Sequence, residues 1–487
     1  MNRLVFLAFA FAAASACAVQ VDRVVVRQQW PWHEGIQVEY SLSGMSGPVD
    51  IGVSVTRDGL SVPVPNAALK GDLHGVRDAV GSFTIDPSVL FGGEKVKIDS
   101  LRVALTASNS PANIDEVLYK IFDLSSGACE DVTRAQILNG EKGSYETDYS
   151  KISPGFSTQL DPSDVLIWTG VTNDIAYKTT HLVMRKINAA NKVWQSGDPT
   201  GVNYAHRNAF NRYWVKLTYD YYVAVFETTQ AQYKLINDNS LSNTDCDYKN
   251  DDDSPCYPMN GTRRYVLLGH PSNSSANDMG IVSGANIVFP RNSYVRDVAK
   301  NSFLAKMWNK TGIEFNLPTG AEWEFACRGG NDTPLYSGEA QTMANVSKIA
   351  WHKDISGATP AERKPAVVGS LAPNAYGLYD MLGNVFEQTT MGGNFSQGAE
   401  SGSGESEADP AVNPLGNPNA TASSNYSSSG TSFYYDSSTW EYYGEWQDCR
   451  SAVRCGNFNW SGGLKYVGFR FVMPARADGQ WADHPAE

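Results

Sequence analysis

The sequence is short of positive charge and of long apolar runs. Its 487 residues include 39 Lys and Arg against 52 Asp and Glu, so the formal net charge is -13 at pH 7. Nucleic-acid binding needs clustered Lys and Arg that replace counterions, and no such cluster occurs. Beyond the first eighteen residues, no run approaches the ~20 apolar residues that span a bilayer. We therefore expect neither a nucleic-acid partner nor a transmembrane segment.

The common catalytic motifs are also missing. The histidines have no HExxH or His-x-His spacing, and the cysteines include no CxxC pair. No GxSxG nucleophile elbow and no phosphate-binding glycine loop occurs. Zinc, hydrolase and nucleotide functions are therefore unsupported, and we assign no catalytic residue.

Residues 1–18 have the pattern of a secretory signal. Arg3 precedes an apolar run, which is followed by the small residues Ala16-Cys17-Ala18. We expect cleavage after Ala18 and a secreted or periplasmic protein. The alternative is a lipoprotein anchored at Cys17, but Ala14 stands where a lipobox prefers Leu.

The chain after the signal divides into four predicted parts. Residues 19–108 alternate apolar and polar positions around turns such as Asp58-Gly59, which predicts an antiparallel β-sandwich. Residues 109–165 are rich in turn formers and read as a connector, to which residues 117–124 add one strand. Residues 166–475 form a second domain, and residues 476–487 a tail.

The second domain has short helix signals. Thr229 with Gln232, and Thr319 with Glu322, have the spacing of capping boxes at helix starts. A broad apolar stripe over residues 293–310 predicts a further helix that ends before Gly312.

Five ordered motifs in this domain carry a family resemblance. They are YYVAVFETTQAQY (221–233), LPTGAEWEFACRGG (317–330), NAYGLYDMLGNVFEQ (374–388), CRSAVR (449–454) and VGFRFV (467–472). Together they resemble the formylglycine-generating enzyme, or sulfatase-modifying factor, family over residues 166–475. The resemblance implies a loop-rich α+β domain with a C-type-lectin-like core, and the N-terminal sandwich lies outside it. The expected fold class of the chain is therefore α+β, with the antiparallel β-sandwich followed by this domain.

The resemblance also bears on activity. Catalytic members hold copper with a Cys-x4-Cys pair upstream of an arginine that Arg450 matches, and those two positions are Glu441 and Trp446 here. A carboxylate and an indole do not replace soft thiolate ligands. We therefore expect no copper and a non-catalytic binding protein for a glycan, peptide or protein surface. The alternative is an active formylglycine-generating oxidase that acts on sulfatase cysteines.

A structural calcium ion is the cofactor that the resemblance implies. Segment 374–388 is interrupted too often by Gly and Asn to be a helix, so its carbonyls must find partners, and oxygen-only ligation suits calcium. The alternative is a buried loop whose carboxylates accept backbone N–H bonds. The resemblance places one calcium site in this segment and a second one upstream of it, with ligands at Asp380, Gly383, Val385, Glu387, Asn345 and Val346.

The six cysteines that follow the signal predict disulfides, because an even number in an oxidising compartment favours bridges. Cys246 and Cys256 flank a polar loop and are expected to pair locally. Residues 449–455 read as one strand, in which Cys449 and Cys455 lie ~20 Å apart and cannot bond to each other. Our first choice of pairs is Cys327–Cys449 and Cys129–Cys455, although about fifteen connectivities are open.

The stretch before CRSAVR is dense in aromatic residues. Rigid Tyr and Trp rings among Ser, Asn and Gly are typical of adaptable binding surfaces. The alternative is that some of these rings pack into the core of a loop-rich domain. The candidate binding residues are Tyr434, Tyr435, Trp440, Tyr442, Tyr443 and Trp446.

Overall fold

The computed structural model describes residues 19–28, 35–93, 100–147, 164–198, 212–238, 255–262, 264–268, 302–390, 401–414, 426–434, 445–452, 454–458, 466–476 and 481. Contacts divide the chain into two compact units. The first comprises Met1–Leu118, Asp131–Glu146 and Trp168–Asn173, and the second comprises Tyr119–Glu130, Thr147–Ile167 and Asp174–Glu487. The predicted signal, residues 1–18, lies outside the described residues.

Two antiparallel sheets form the body of the first unit, with the strand orders β1-β2-β6-β5 and β4-β3-β7. Alternate residues of both sheets, among them Val38, Ile51 and Phe83, meet in one buried cluster. The predicted N-terminal β-sandwich is therefore confirmed. Its strands are β1 Gln20–Gln28, β2 Ile36–Ser43, β3 Val49–Arg57, β4 Leu60–Val62, β5 Leu69–Gly71, β6 Val80–Ile85 and β7 Leu101–Asn109.

The region predicted as a connector contains more regular structure than expected. Strand β8, Val117–Asp123, confirms the single strand expected there, and β9, Cys129–Thr133, was not predicted. Two short helices, α1 Pro87–Leu90 and α2 Arg134–Leu138, lie in the first unit, and α2 falls in this region. Helix α2 begins with a capping box between Thr133 and Gln136, a signal that was readable in the sequence.

The described strands of the second unit are short. A five-stranded sheet has the order β21-β13-β10-β8-β9, and smaller sheets have the orders β11-β12-β17, β14-β15 and β19-β18-β16-β20. The strands are β10 His181–Ile187, β11 Val193–Ser196, β12 Tyr213–Lys216, β13 Tyr221–Ala224, β14 Ala350–Trp351, β15 Leu382–Gly383, β16 Phe386–Gln388, β17 Ala411–Val412, β18 Tyr426–Ser429, β19 Arg454–Phe458, β20 Val467–Gly468 and β21 Val472–Pro474.

The helices of this unit are short, and their ends follow capping rules. The Thr229 and Thr319 capping boxes are both formed, and Gly312 ends a helix in the left-handed conformation with φ 72°. The helices are α3 Ala176–Thr179, α4 Gln230–Ile236, α5 Arg264–Leu268, α6 Phe303–Thr311, α7 Gly320–Arg328, α8 Met343–Val346 and α9 Lys353–Ser356. The predicted α+β class is confirmed. Among the described helices, none is long and apolar enough to cross a membrane.

Helix α7 carries residues of the functional motifs into the core, and every one of its nine residues is buried. Trp323 and Cys327 join a large apolar cluster that also contains Cys449 and Met381. A segment of the second unit near the C-terminus therefore packs against a helix more than a hundred residues earlier in the chain.

Candidate functional site

The family-matched arginine follows a 3₁₀ turn at Trp446–Asp448, which Glu445 caps. The Arg450 Nη1 donates to Oδ2 of buried Asp198 at 2.5 Å, and its Nε donates to the Gln447 carbonyl at 3.2 Å. Removing one partner of a buried ion pair typically costs ~3–5 kcal/mol, because the other charge is left uncompensated. Asp198 therefore fixes Arg450 and the turn before it in one arrangement.

Trp446 is partly buried and packs against the cluster that contains Trp323 and Cys449. Its backbone N–H donates to Oδ2 of Asp354 at 3.4 Å. The resemblance places a copper-binding cysteine at this position in catalytic members, and an indole packed on a core is no substitute for a thiolate. Glu441, the other matched position, lies outside the described residues.

Cys327 and Cys449 are both present as thiols in the structure. The Cys449 Sγ lies 3.1 Å from Oγ1 of Thr431, and the Cys327 Sγ lies 3.8 Å from the Met381 carbonyl oxygen. The predicted Cys327–Cys449 bridge is therefore not formed in the structure. The reasoning placed Cys449 on a strand, whereas Cys449 ends the 3₁₀ turn, β19 begins only at Arg454, and each sulfur has a polar neighbour of its own.

Cys129 and Cys256 are likewise thiols, so the bridges predicted from them are not formed in the structure. Cys129 is exposed on β9. Cys256 is buried, and this burial raises the pKa of its thiol. Cys246 and the side chain of Cys455 lie outside the described residues.

The aromatic run divides into core and undescribed parts. Tyr434 is 5% exposed and stacks on Tyr466 with ring centroids 5.7 Å apart and an interplanar angle of 5°. Both rings belong to a buried cluster with Phe386 and Phe433. Tyr434 is thus a core residue and not the surface residue that we predicted, because it meets a partner ring 32 residues later in the chain. Other candidates lie outside the described residues: Tyr435, Trp440, Tyr442 and Tyr443.

The carboxylate segment 374–388 is held by buried hydrogen bonds. Both oxygens of Glu387 bind Arg470, at 2.5 Å to Nη2 and 2.7 Å to Nε, and the Trp323 Nε1 also donates to Glu387 at 2.6 Å. Oδ2 of Asp380 accepts the Gly369 backbone N–H at 2.6 Å. The Asp380 contact matches the second interpretation of the segment, a buried loop whose carboxylates accept backbone N–H bonds, whereas the donors to Glu387 are side chains.

A third carboxylate that the sequence reasoning missed completes this network. Glu227 accepts the Val385 backbone N–H at 3.0 Å and the Asn384 side-chain amide at 2.6 Å. Burial raises the pKa of Glu227 well above its usual range, and the neighbouring Asp380 and Glu387 raise it further. Burial raises the pKa of Asp380 to about 6, partly opposed by the Gly369 hydrogen bond and the Arg470 charge.

The predicted calcium ligands fit an ion poorly in this arrangement. Both carboxylate oxygens of Glu387 already accept hydrogen bonds from Arg470, and Oδ1 of Asn345 accepts one from Lys348 Nζ at 2.9 Å. Val346 could bind an ion only through its carbonyl, which already accepts the Ile349 backbone N–H at 3.0 Å. Gly383 has φ 82° and pairs with Trp351, so close that an added Cβ would lie 2.6 Å from the Trp351 backbone nitrogen. Within the described ranges, no group of three or more His, Cys, Asp and Glu side chains has the arrangement of a metal site. Calcium stays a prediction.

A hydroxyl, an imidazole and a carboxylate also lie together beside the turn. The His352 Nε2 is 2.9 Å from the Ser347 Oγ, and its Nδ1 is 3.4 Å from Asp354 Oδ2. The Asp354 backbone N–H donates to Nδ1 at 3.3 Å, so in this arrangement the ring proton sits on Nε2. The imidazole therefore donates to the serine, which is the reverse of the direction that activates a nucleophile.

Comparisons with known proteins found similar sequences and structures. Residues 276–475 match the family model described as a sulfatase-modifying factor enzyme 1-like domain. The formylglycine-generating enzyme of Mus musculus is 32% identical over 125 residues, which cover 22% of this chain and 32% of the mouse protein. PvdO from Pseudomonas aeruginosa and variable protein 1 of Treponema denticola are similar in structure, with TM-scores of 0.39 and 0.37 and identities of 17% and 22%. Each match covers 60% of this chain, and 93% and 95% of those chains respectively.

The described residues have the mixed α+β fold that the resemblance implied. Over residues 276–475 the chain is similar to the sulfatase-modifying factor enzyme 1-like domain family. The matched region spans about a third of the length of the mouse relative, at 32%.

Proposed function

We propose that this protein is an exported, non-catalytic binding module on a sulfatase-modifying factor-like scaffold, which recognises a glycan, peptide or protein surface. The proposal rests mainly on the identity and packing of Trp446. The Trp446 ring packs on the core and its backbone is bonded to Asp354, where catalytic relatives are expected to present a copper-binding thiolate.

Support for the recognition role comes from the residues that flank the aromatic run. Phe433 and Tyr434 are packed in a buried ring cluster, and Glu445 and Trp446 begin a capped turn that Asp354 and Arg450 hold. The described residues on both sides of positions 435–444 are therefore held in place. Binding residues supported by a rigid frame lose less entropy on capture of a ligand.

The first experiment separates this proposal from the oxidase alternative. The reduced protein is titrated with copper(I) and incubated with a peptide that carries the cysteine motif of a sulfatase. A Glu441→Cys/Trp446→Cys double variant, which restores the Cys-x4-Cys spacing, serves as the positive control for copper binding. We expect stoichiometric copper in the variant only. Equally tight copper in the native chain, together with conversion of the peptide, overturns the proposal.

The second experiment tests recognition. The mature chain is applied to a glycan array, and Trp440→Ala and Tyr443→Ala variants are compared with a Tyr434→Ala variant, whose ring is in the core. We expect the first two to keep the melting temperature and lose capture, because interface energy concentrates in a few Trp and Tyr anchors. If every folded variant captures the same glycans as the native chain, the aromatic run is not the recognition surface.

A further inference from the structure

One side chain beside the site caps a helix in an unusual way. His352 is the N-cap of the one-turn helix α9, and its Nδ1 accepts the backbone N–H of Asp354 at 3.3 Å. Asn, Asp, Ser and Thr are the residues preferred at an N-cap, because their oxygens accept the unpaired backbone N–H at any ordinary pH. An imidazole does so only while that nitrogen carries no proton.

The remaining hydrogen bonds around the ring follow from this assignment. With Nδ1 as the acceptor, Nε2 carries the proton and donates to Ser347 Oγ at 2.9 Å. The serine hydroxyl in turn donates to the Met343 carbonyl in α8 at 2.8 Å. The His352 side chain is fully buried, so water cannot replace either partner.

Helix α9 holds both borders of segment 435–444. The Asp354 Oδ2 accepts the Trp446 backbone N–H at 3.4 Å, and the Lys353 Nζ lies 3.6 Å from Glu445 Oε1. At the other border, the Ser356 Oγ donates to the Phe433 carbonyl at 2.7 Å. A change in the orientation of α9, for example on loss of its cap, would therefore affect its contacts with the residues at both borders.

We propose that His352 is a pH-sensitive latch that fixes α9 to the turn at Trp446–Asp448. When Nδ1 carries a proton, it can no longer accept the Asp354 backbone N–H, because both groups are then donors. The cap is therefore lost. The new Nδ1–H faces Asp354 Oδ2 at 3.4 Å and competes with Trp446 for that oxygen. The latch is closed with a neutral ring and opens on acidification, and it does not depend on which ligand the protein binds.

The charged neighbours of the ring agree with this direction. Burial lowers the pKa of His352, and the nearby Lys353 lowers it further, although Asp354 opposes both. Lys353 lies 2.8 Å from Asp354 Oδ1 and also pairs with Glu445, so its charge partly offsets that of the carboxylate beside the ring. Because the folded state disfavours the proton, the cap is complete above the ordinary histidine pKa of about 6.5 and is lost as pH falls through the lower pKa of the folded state.

Amide hydrogen exchange of the full chain tests the latch. The Trp446 amide is followed between pH 7.5 and pH 5, with rates corrected for intrinsic exchange, and the Asn345 amide is the internal control. Asn345 is capped by the Thr342 hydroxyl, which does not titrate. We expect about a fivefold loss of Trp446 protection on acidification, equivalent to the ~1 kcal/mol of a lost N-cap, and no change at Asn345.

The matched variant is His352→Asn, which keeps an N-cap acceptor and removes the titration. We expect its Trp446 protection to be independent of pH. Equal acid sensitivity in both proteins, or none in the native chain, overturns the proposal. Should the variant not fold, NMR titration of the His352 ring in the native protein decides the question, since its midpoint must coincide with the loss of Trp446 protection.

Discussion

Removal of the Arg470 guanidinium is the sharpest test of the buried network. Arg470 donates twice to Glu387 and also to the carbonyls of Ala224 and Tyr379, both at 2.9 Å. In an Arg470→Met variant, Glu387 keeps only its Trp323 hydrogen bond among these contacts. Breaking a buried pair from one side typically costs ~3–5 kcal/mol, a large part of the ~5–15 kcal/mol that stabilises a domain.

The same variant should respond to pH. Arg470 lowers the pKa of both Glu227 and Asp380, whose pKa values burial raises, and Lys178 also lowers that of Asp380. Without Arg470, the folded state takes up protons at higher pH than the unfolded chain does. Stability is then retained at low pH and lost as pH rises through the folded pKa, which for Asp380 is about 6 even with Arg470 present. The deficit of Arg470→Met relative to the native chain should therefore be smaller at pH 5.5 than at pH 7.5.

Urea unfolding at the two pH values measures this effect, with Arg470→Lys as the control. Lysine keeps the positive charge and loses the bidentate geometry, so we expect a smaller deficit with little pH dependence. A deficit below ~1 kcal/mol for Arg470→Met, or one that is the same at both pH values, would refute the view that three buried carboxylates depend on this one cation.

Three further outcomes follow from the contacts. To bind calcium, Glu387 must exchange Arg470 for the ion. Calcium at a hundredfold excess over Kd should then stabilise the chain by ~2.7 kcal/mol, and Glu387→Ala should abolish the effect. A melting midpoint that does not change after complete metal removal counts against the site. Tyr434→Ala should cost ~3–5 kcal/mol because the ring is buried in a stack, and a silent substitution would contradict that packing. Alkylation of the native protein should modify exposed Cys129 and spare buried Cys327 and Cys449, and rapid labelling of all three would show that the core is open.

Local features of the fold could be predicted from the sequence, because they depend on neighbouring residues. The Thr229 and Thr319 capping boxes, the stop at Gly312 and the alternation in the sandwich each involve residues within a few positions of one another. The helix after Thr133 has the same signal and was overlooked because its surroundings are rich in turn formers.

Long-range partners could not be predicted in the same way. Glu387 and Arg470 are 83 residues apart, and Arg450 and Asp198 are 252 residues apart. Charge alone does not predict which acidic residue pairs with a buried arginine. The pairing depends on the tertiary arrangement of segments that have no hydrophobic periodicity. The burial of His352 could not be predicted either. A single histidine near an aspartate forms no periodic hydrophobic pattern from which burial could be inferred.

The difference between the cysteine and carboxylate predictions has a physical cause. A disulfide depends on two Cα positions within ~7 Å and on matching side-chain directions, so a pairing predicted from the sequence fails with a small error in either position. The carboxylate segment tolerates such errors, because buried oxygens must find some donor, and backbone amides, Trp323 and Arg470 all qualify. Whether calcium or arginine satisfies Glu387 is therefore a competition between two cations for one pair of oxygens, and the affinity of the ion must exceed what the buried guanidinium already provides.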